Sequence, residues 1–194
     1  MTASFVLYDT EFTTWAGALE RRWSGPNEFR EVVQIGAMRV DAATLQPLAS
    51  FDVLVKPVKN PVVSDYFTQL TGITQGAIDA QGLGFTDALA QFRAFIGRDE
   101  AAAYGNDAGV IRENMCWNGM ACGEADFNTR DIGPWFMEHG APYGVKKGVN
   151  SGALARTVGA AITHTVAEHN ALEDVRSILA AYAFLLSKGA TAFF

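Results

Sequence analysis

Residues 4–12 read SFVLYDTEF, an apolar run that leads directly into two acids, Asp9 and Glu11. A continuous apolar run of this kind is typical of a buried central strand. Because residues i and i+2 of a strand point to the same side, the two carboxylates lie side by side where the strand leaves the core. Adjacent anions repel each other by a few kcal/mol at an effective dielectric constant of about 20. The pair therefore predicts a cation site. Because a single Asp-x-Glu also arises by chance, this prediction depends on further acidic residues elsewhere in the chain.

Composition limits the class of protein. A length of 194 residues predicts a single domain, residues 1–194, in which helices cover a sheet. No apolar run approaches a membrane span and no segment resembles a signal peptide, so we expect a soluble, cytoplasmic protein without membrane partners. Cys116 and Cys122 make neither a zinc-ligand set nor a disulfide framework and are expected to be free thiols. The net charge of −6 argues against broad duplex binding, but it is compatible with a small acidic metal site.

The order of the elements predicts the fold class. After the opening strand, β-branched and apolar patterns predict further strands at residues 31–40, 49–55, 100–104 and 127–129. Helical spacing predicts a glycine-broken segment within 61–80, a helix capped by Thr86, helices at 108–117 and 132–139, and two that begin at Ser151 and Asn170. This order predicts an α/β protein with a five-stranded mixed sheet and helices on both faces.

Two further acids are candidates to complete the site. Asp107 follows the strand at 100–104, and the carboxyl end of a strand is the usual place for a site in such sheets. Its alternative role is that of an acid favoured by the dipole at a helix N-terminus. Asp174 lies on the apolar side of the last helix, between Ala171 and Ile178, where a carboxylate is unusual unless it is paired or bound to metal.

A histidine precedes the last helix. Asn170 and Glu173 form a capping-box pattern, so the helix begins at Asn170 and His169 lies just outside it. His169 can then reach over the acidic site while Asp174 is held within the helix. His164 has no carboxylate five residues further on and receives no catalytic role, and His139 at a helix end is interpreted as structural.

These residues resemble the three sequence blocks of the DEDDh 3′→5′ exonucleases, the superfamily of RNase T and the DNA polymerase III proofreading subunit. The blocks are Asp9-Thr10-Glu11, Asp107 and the segment 169–174, which reads HNALED. Residues 33–37 (VQIGA), 55–57 (VKP) and 70–73 (LTGI) are similar to the subgroup that includes the histone-mRNA 3′-end nucleases. The resemblance covers nearly the whole chain.

The resemblance implies a ribonuclease H-like fold and a two-metal site for Mg²⁺ or Mn²⁺. The implied metal ligands are Asp9, Glu11, Asp107 and Asp174. Asp9 would bridge both ions, Glu11 would help to hold the ion that carries the nucleophilic water, and His169 would be the general base. The implied reaction releases nucleoside 5′-monophosphates from single-stranded 3′ ends, with RNA slightly favoured over DNA.

The resemblance also suggests contacts with the substrate. The candidate substrate-binding residues are Thr10, Phe12, Leu70, Thr71, Gly72 and Ile73. For the segment at 70–73 the alternative is an ordinary helix break packed on the core. Two basic pairs, Arg21-Arg22 and Lys146-Lys147, are candidates for phosphate contacts or plain solvated surface.

Two other functions are compatible with the sequence. One is a phosphodiesterase restricted to dinucleotides or short oligonucleotides, and the other is a regulatory or binding module that retains the fold without catalysis. The oligomeric state, monomer or homodimer, is open, since Phe193-Phe194 can dock on the core or on a second subunit.

Overall fold

A mixed sheet forms the centre of the protein. A computed structural model describes residues 3–161 and 169–194. The strands are β1 (Ser4–Phe12), β2 (Val32–Asp41), β3 (Pro47–Leu54), β4 (Glu100–Ala103) and β5 (Arg130–Asp131). Their order is β3-β2-β1-β4-β5, with β1 antiparallel to β2 and parallel to β4. The prediction of a five-stranded mixed sheet with its first strand in the middle is confirmed.

Helices cover both faces of this sheet. They are α1 (Asp65–Thr71), α2 (Gln75–Gln81), α3 (Phe85–Ile96), α4 (Asp107–Trp117), α5 (Gly133–Gly140), α6 (Leu154–Val158) and α7 (Ala171–Ser187). The alternation of side chains on β1 separates the two cores: Phe5 and Leu7 pack with α5, α6 and α7, whereas Val6 and Tyr8 pack with α3 and α4. None of the described helices has the length and apolar character that a membrane crossing requires.

Several local predictions differ from the structure. The last strand begins at Arg130, because Phe127 is buried against Phe92 and the hydroxyl of Thr129 bonds that of Tyr8 at 2.6 Å. Helix α3 begins one residue before Thr86.

The predicted glycine break lies where expected. Gly72 ends α1 with a φ of 73°, in the left-handed region that favours glycine, and α2 follows three residues later.

The prediction of free thiols is wrong. Cys116, near the end of α4, and Cys122, in the loop that follows, form a disulfide. The turn after α4 brings their Cα atoms to 5.3 Å, within the range that a disulfide requires. Spacing alone gave no indication of this turn.

The C-terminal phenylalanines dock on the core of their own chain. The ring of Phe194 stacks on Phe5 with the centroids 3.9 Å apart. The backbone N–H of Phe193 donates to the hydroxyl of Tyr182 at 3.0 Å, and the Arg130 guanidinium lies 3.7 Å from the Phe193 ring centroid. Of the two positions predicted for this segment, the structure therefore shows the intramolecular one.

Candidate active site

The predicted acids and the histidine share one cavity. The cavity has a volume of about 590 Å³ and lies beyond the carboxyl ends of β1 and β4. It is lined by Asp9, Glu11, Asp107, His169 and Asp174. All four acids are at most 8% exposed although they open onto this cavity. The structure thus brings together five residues that are up to 165 positions apart in the sequence.

Each acid has a local reason for its position. Asp9 and Glu11 are two residues apart on β1 and project to one side of the strand. Asp107 is the first residue of α4, four residues beyond the end of β4. Asp174 lies in the first turn of α7, whose N-cap, Asn170, accepts the N–H of Glu173 at 3.3 Å. The capping prediction is confirmed, and it explains how one helix end supplies both an acid and a histidine.

The donor atoms are suited to a hard divalent cation. Ligand atoms from Glu11, His169 and Asp174 all lie within 4.8 Å of one another. Asp9 and Asp107 add further carboxylate oxygens to the same cavity. Magnesium and manganese prefer such oxygen-rich sites.

Burial and mutual repulsion perturb these carboxyl groups. Burial is the main factor that raises the pKa of Asp9 well above its ordinary value, and the charges of Asp107, Glu11 and Asp174 raise it further. Burial, followed by the charges of Asp174 and Asp107, likewise raises the pKa of Glu11. Without a cation, the site therefore favours protonated carboxyl groups.

Thr10 holds Asp107 in place. Its hydroxyl donates to Oδ1 of Asp107 at 2.6 Å, and its backbone N–H donates to the same atom at 3.0 Å. Burial raises the pKa of Asp107 to about 6, while these two hydrogen bonds oppose the rise. Thr10, expected to contact substrate, lines the cavity but commits its hydroxyl to an acid.

Ser151 is a site residue that the sequence did not indicate. Its hydroxyl donates to Oδ2 of Asp174 at 2.8 Å, and it is also close enough to Asp9 to lower the pKa of that carboxyl group. The sequence suggested Ser151 as a helix N-cap, but α6 begins three residues later. The hydroxyl instead links acids on two different elements.

Gln34 and Gly36 dock the start of α7 against β2. The Gln34 side chain accepts the N–H of Ala171 at 3.0 Å and donates to Asp52 at 2.8 Å. A Cβ built on Gly36 would overlap the backbone of Ala171 and Leu172, so only glycine permits this close approach. These contacts give residues 33–37 a physical role: they position the helix that carries Asp174.

His169 has an unusual backbone conformation. Its φ is +63°, in the left-handed region that costs a non-glycine residue about 1–2 kcal/mol. Its N–H donates to Oδ1 of Asp174 at 3.2 Å, which helps to hold this conformation. Strain of this kind concentrates at functional sites.

The candidate substrate residues divide into two groups. Phe12 and Leu70 line the cavity, as does Thr10. Thr71, Gly72 and Ile73 do not: Thr71 donates its hydroxyl to the Phe67 carbonyl, and Ile73 packs in a separate small core. These three residues therefore match the alternative interpretation of the segment, a helix break packed on the core.

Aromatic and apolar side chains add a wall to the cavity. It consists of Trp15, Leu19, Trp23, Tyr66, Tyr104, Val110 and Val149. His139 does not line this cavity, and its ring centroid lies 4.8 Å from that of Trp135. His164 falls outside the described residues.

The fold and the acidic centre define a nuclease-like protein, and comparisons identify the family. The model of the exonuclease family, RNase T, matches residues 6–182, and the chain belongs to that family. The nuclease domain of 3′hExo, a DEDDh family member solved with bound rAMP, has a TM-score of 0.76 at 19% identity. The match covers 97% of this chain and 94% of that one, which confirms the expected ribonuclease H-like exonuclease fold.

Curated relatives extend well beyond the region of similarity. ERI1 exoribonuclease 2 of Xenopus laevis is 28% identical over 91 residues, and that of Mus musculus is 30% identical over 94 residues. These alignments cover 47% and 48% of this chain but 12% and 13% of the relatives. The matched part therefore spans about an eighth of their length.

Proposed function

We propose that this protein is a 3′→5′ exonuclease that removes nucleoside 5′-monophosphates from single-stranded nucleic acid. The observation that carries the proposal is the convergence of four buried carboxylates and His169 in one open cavity of an exonuclease-family chain. Buried carboxyl groups are costly to hold close together, so their convergence in one cavity favours a catalytic role over a structural one.

The donor set fits two Mg²⁺ or Mn²⁺ ions. Asp9, Glu11, Asp107 and Asp174 would hold them. Burial, together with mutual repulsion, raises the pKa of Asp9 and Glu11, and bound cations would relieve that repulsion. When bound, such ions stabilise the attacking and leaving oxygens of an in-line displacement.

The protein side chains would perform the remaining steps. His169 would accept a proton from the water that attacks the phosphorus of the last phosphodiester. The bond from this phosphorus to the 3′ oxygen of the preceding nucleotide would break, and that oxygen would take up a proton from solvent. The shortened strand leaves with a 3′-hydroxyl, and the product is a nucleoside 5′-monophosphate. Asp174 would orient His169 through the bond to its backbone N–H, while Leu70 would contact the last base.

RNA is the favoured substrate within this proposal. The curated relatives are named exoribonucleases, and the 3′hExo domain was solved with the ribonucleotide rAMP. Discrimination against DNA requires contacts to the 2′-hydroxyl. Degradation of sequence-matched single-stranded RNA, single-stranded DNA and duplex in Mn²⁺ would rank these substrates, and a length series would reveal a restriction to short oligonucleotides.

Substitutions at the site test the proposal directly. Asp9→Asn removes an expected metal ligand, and His169→Gln removes the expected general base. Each should reduce Mn²⁺-dependent shortening of a 5′-labelled single strand by at least about a hundredfold. Asp87→Asn, on the exposed side of α3, and His139→Gln are matched controls that should retain activity. Full activity in either site variant, or no metal-dependent turnover by the natural protein, would refute the assignment.

A further inference from the structure

An apolar shelf extends the cavity beyond the acidic centre. We define it as Leu19 and Trp23, from the segment between β1 and β2; both line the cavity that holds the acids. Leu19 is 70% exposed, so much of its side chain is accessible to a ligand in the cavity. This shelf lies outside the sequence blocks that indicated the function.

Contacts with neighbouring residues hold Trp23 of the shelf in a defined position. The Trp23 ring packs edge-on against Phe12, with the centroids 5.5 Å apart, and the Arg30 guanidinium lies 5.7 Å from the Trp23 ring centroid. The backbone N–H of Trp23 donates to the carbonyl of Ala18, a fully buried residue. Within the described structure, the buried indole Nε1 of Trp23 has no hydrogen-bond partner.

The backbone of this segment is also strained. Arg22 and Trp23 have φ values of 56° and 52°, both in the left-handed region that non-glycine residues rarely adopt. An ion pair between Arg21 and Glu28 holds the neighbouring turn. The fold thus maintains a costly conformation that presents Trp23 at the cavity wall.

Charge at the cavity wall disfavours recognition through phosphates. Among the described residues that line the cavity, Arg30 is the one lysine or arginine, and it is paired with Glu113. Arg21 is paired with Glu28, and Glu20 adds a further negative charge to the wall. A nucleic-acid strand bound in this cavity would therefore contact mainly aromatic and aliphatic surface rather than unpaired basic side chains.

We propose that Leu19 and Trp23 bind, by stacking, the face of an unpaired base that precedes the nucleotide being removed. The ligand class is a single-stranded oligonucleotide of at least two nucleotides, recognised without reading its sequence, because every base has a π-face. Leu70 is the residue expected to hold the last base, which leaves the shelf for the preceding one. This inference rests on the proposed function and specifies its substrate.

Two substrates distinguish binding at the shelf from the hydrolysis step. The p-nitrophenyl ester of thymidine 5′-monophosphate has no preceding base, whereas a single-stranded octanucleotide has seven. Trp23→Ala should raise the KM for the octanucleotide about tenfold more than the KM for the ester, the scale of one lost stacking contact. Leu19→Ser should act in the same direction with a smaller effect, and Trp23→Phe should recover part of the loss.

Leu48→Ser is the matched control, because Leu48 is 53% exposed on β3 and does not line the cavity. Leu19 is too exposed for its replacement to impair folding, so Leu19→Ser keeps the test valid even if Trp23→Ala is unstable. Equal changes for both substrates, or no change in Leu19→Ser and Trp23→Phe, would overturn the inference. A natural protein that hydrolyses neither substrate would overturn the proposed function instead; anisotropy of a labelled octanucleotide would then test the shelf by binding alone.

Salt dependence supplies an independent readout. The exposed Lys146 and Lys147 are next to Gly148 at the cavity rim and offer the competing mode, phosphate binding. If stacking dominates, log affinity should fall against log salt with a slope shallower than about −1.4, which corresponds to two phosphate contacts at about 0.7 each. A steeper slope that the double variant Lys146→Ala/Lys147→Ala abolishes would contradict the shelf as the main contact.

Discussion

At the scale of single residues, the site is a set of carboxyl groups that the fold holds against their mutual repulsion. Asp107 shows the balance most clearly, because burial raises its pKa to about 6 while two hydrogen bonds from Thr10 oppose that rise. A raised carboxyl pKa means that the native state holds the proton more tightly than the unfolded chain does. The metal-free protein is therefore stabilised by protonation of the site that would bind its cations.

This balance predicts a substitution that stabilises the protein but impairs its activity. The contribution of Asp107 is fully present below about pH 4 and is lost as the pH rises through about 6. Asp107→Asn should therefore increase the unfolding free energy of metal-free protein at pH 8 by up to about 3 kcal/mol, and by little at pH 4. Urea unfolding in EDTA at both pH values measures the difference. Lower stability of the variant at pH 8 would contradict this account.

At the scale of elements, α7 is the part whose placement matters most. It carries Asp174 and follows His169, and it approaches β2 so closely that its backbone lies over Gly36. Gln34 fixes the register of this contact by accepting the N–H of Ala171. Because Gln34 of β2 is paired with Glu11 of β1, this contact also sets the distance between Glu11 and Asp174.

A methyl group at this contact should displace α7 and thereby disturb the acidic site. Gly36→Ala would force α7 away from β2 and should cost about 1–3 kcal/mol of stability, the usual range for overpacking. Activity should fall at least about tenfold, since small displacements at a catalytic centre are costly.

Gly76→Ala is the matched control because a Cβ at that position meets no atom within 4 Å and alanine favours a helix. Thermal unfolding together with initial rates would compare the two variants. Wild-type rates in Gly36→Ala would show that α7 is not positioned by this contact.

At the scale of the whole molecule, the two ends of β1 have different surroundings. Its carboxyl end carries Asp9 and Glu11, whereas its start is covered by the C-terminal segment through the stacked rings of Phe5 and Phe194. Tyr182 of α7 joins this cluster by accepting the N–H of Phe193. We therefore expect stability and the proposed chemistry to depend on opposite ends of one strand.

Removal of the Phe194 ring, which covers the start of β1, should reduce stability without affecting the reaction. Phe194→Ala should cost about 2 kcal/mol, less than the 3–5 kcal/mol of a fully buried phenylalanine, because the ring is partly exposed. The kcat should stay within about twofold of the natural value well below the melting temperature. Denaturant midpoints and single-strand degradation rates provide the comparison, and a large loss of kcat would show that the two ends are coupled.

The sequence by itself determined the features that depend on local pattern. Alternation on β1 places Asp9 and Glu11 on one side of the strand, and the capping box sets the start of α7 next to His169. The first four strands could be located along the chain because each has its own apolar or β-branched pattern.

Only the tertiary structure decided the contacts between distant segments. The bond from Thr10 to Asp107, the seat of α7 on Gln34 and Gly36, and the link from Ser151 to Asp174 each join different elements. The position of β5 and the disulfide were predicted wrongly, because the first depends on pairing with β4 and the second on the turn that brings Cys116 and Cys122 together. Hydrophobic periodicity states which face of an element is buried, but the partner on that face is fixed only when the whole chain packs.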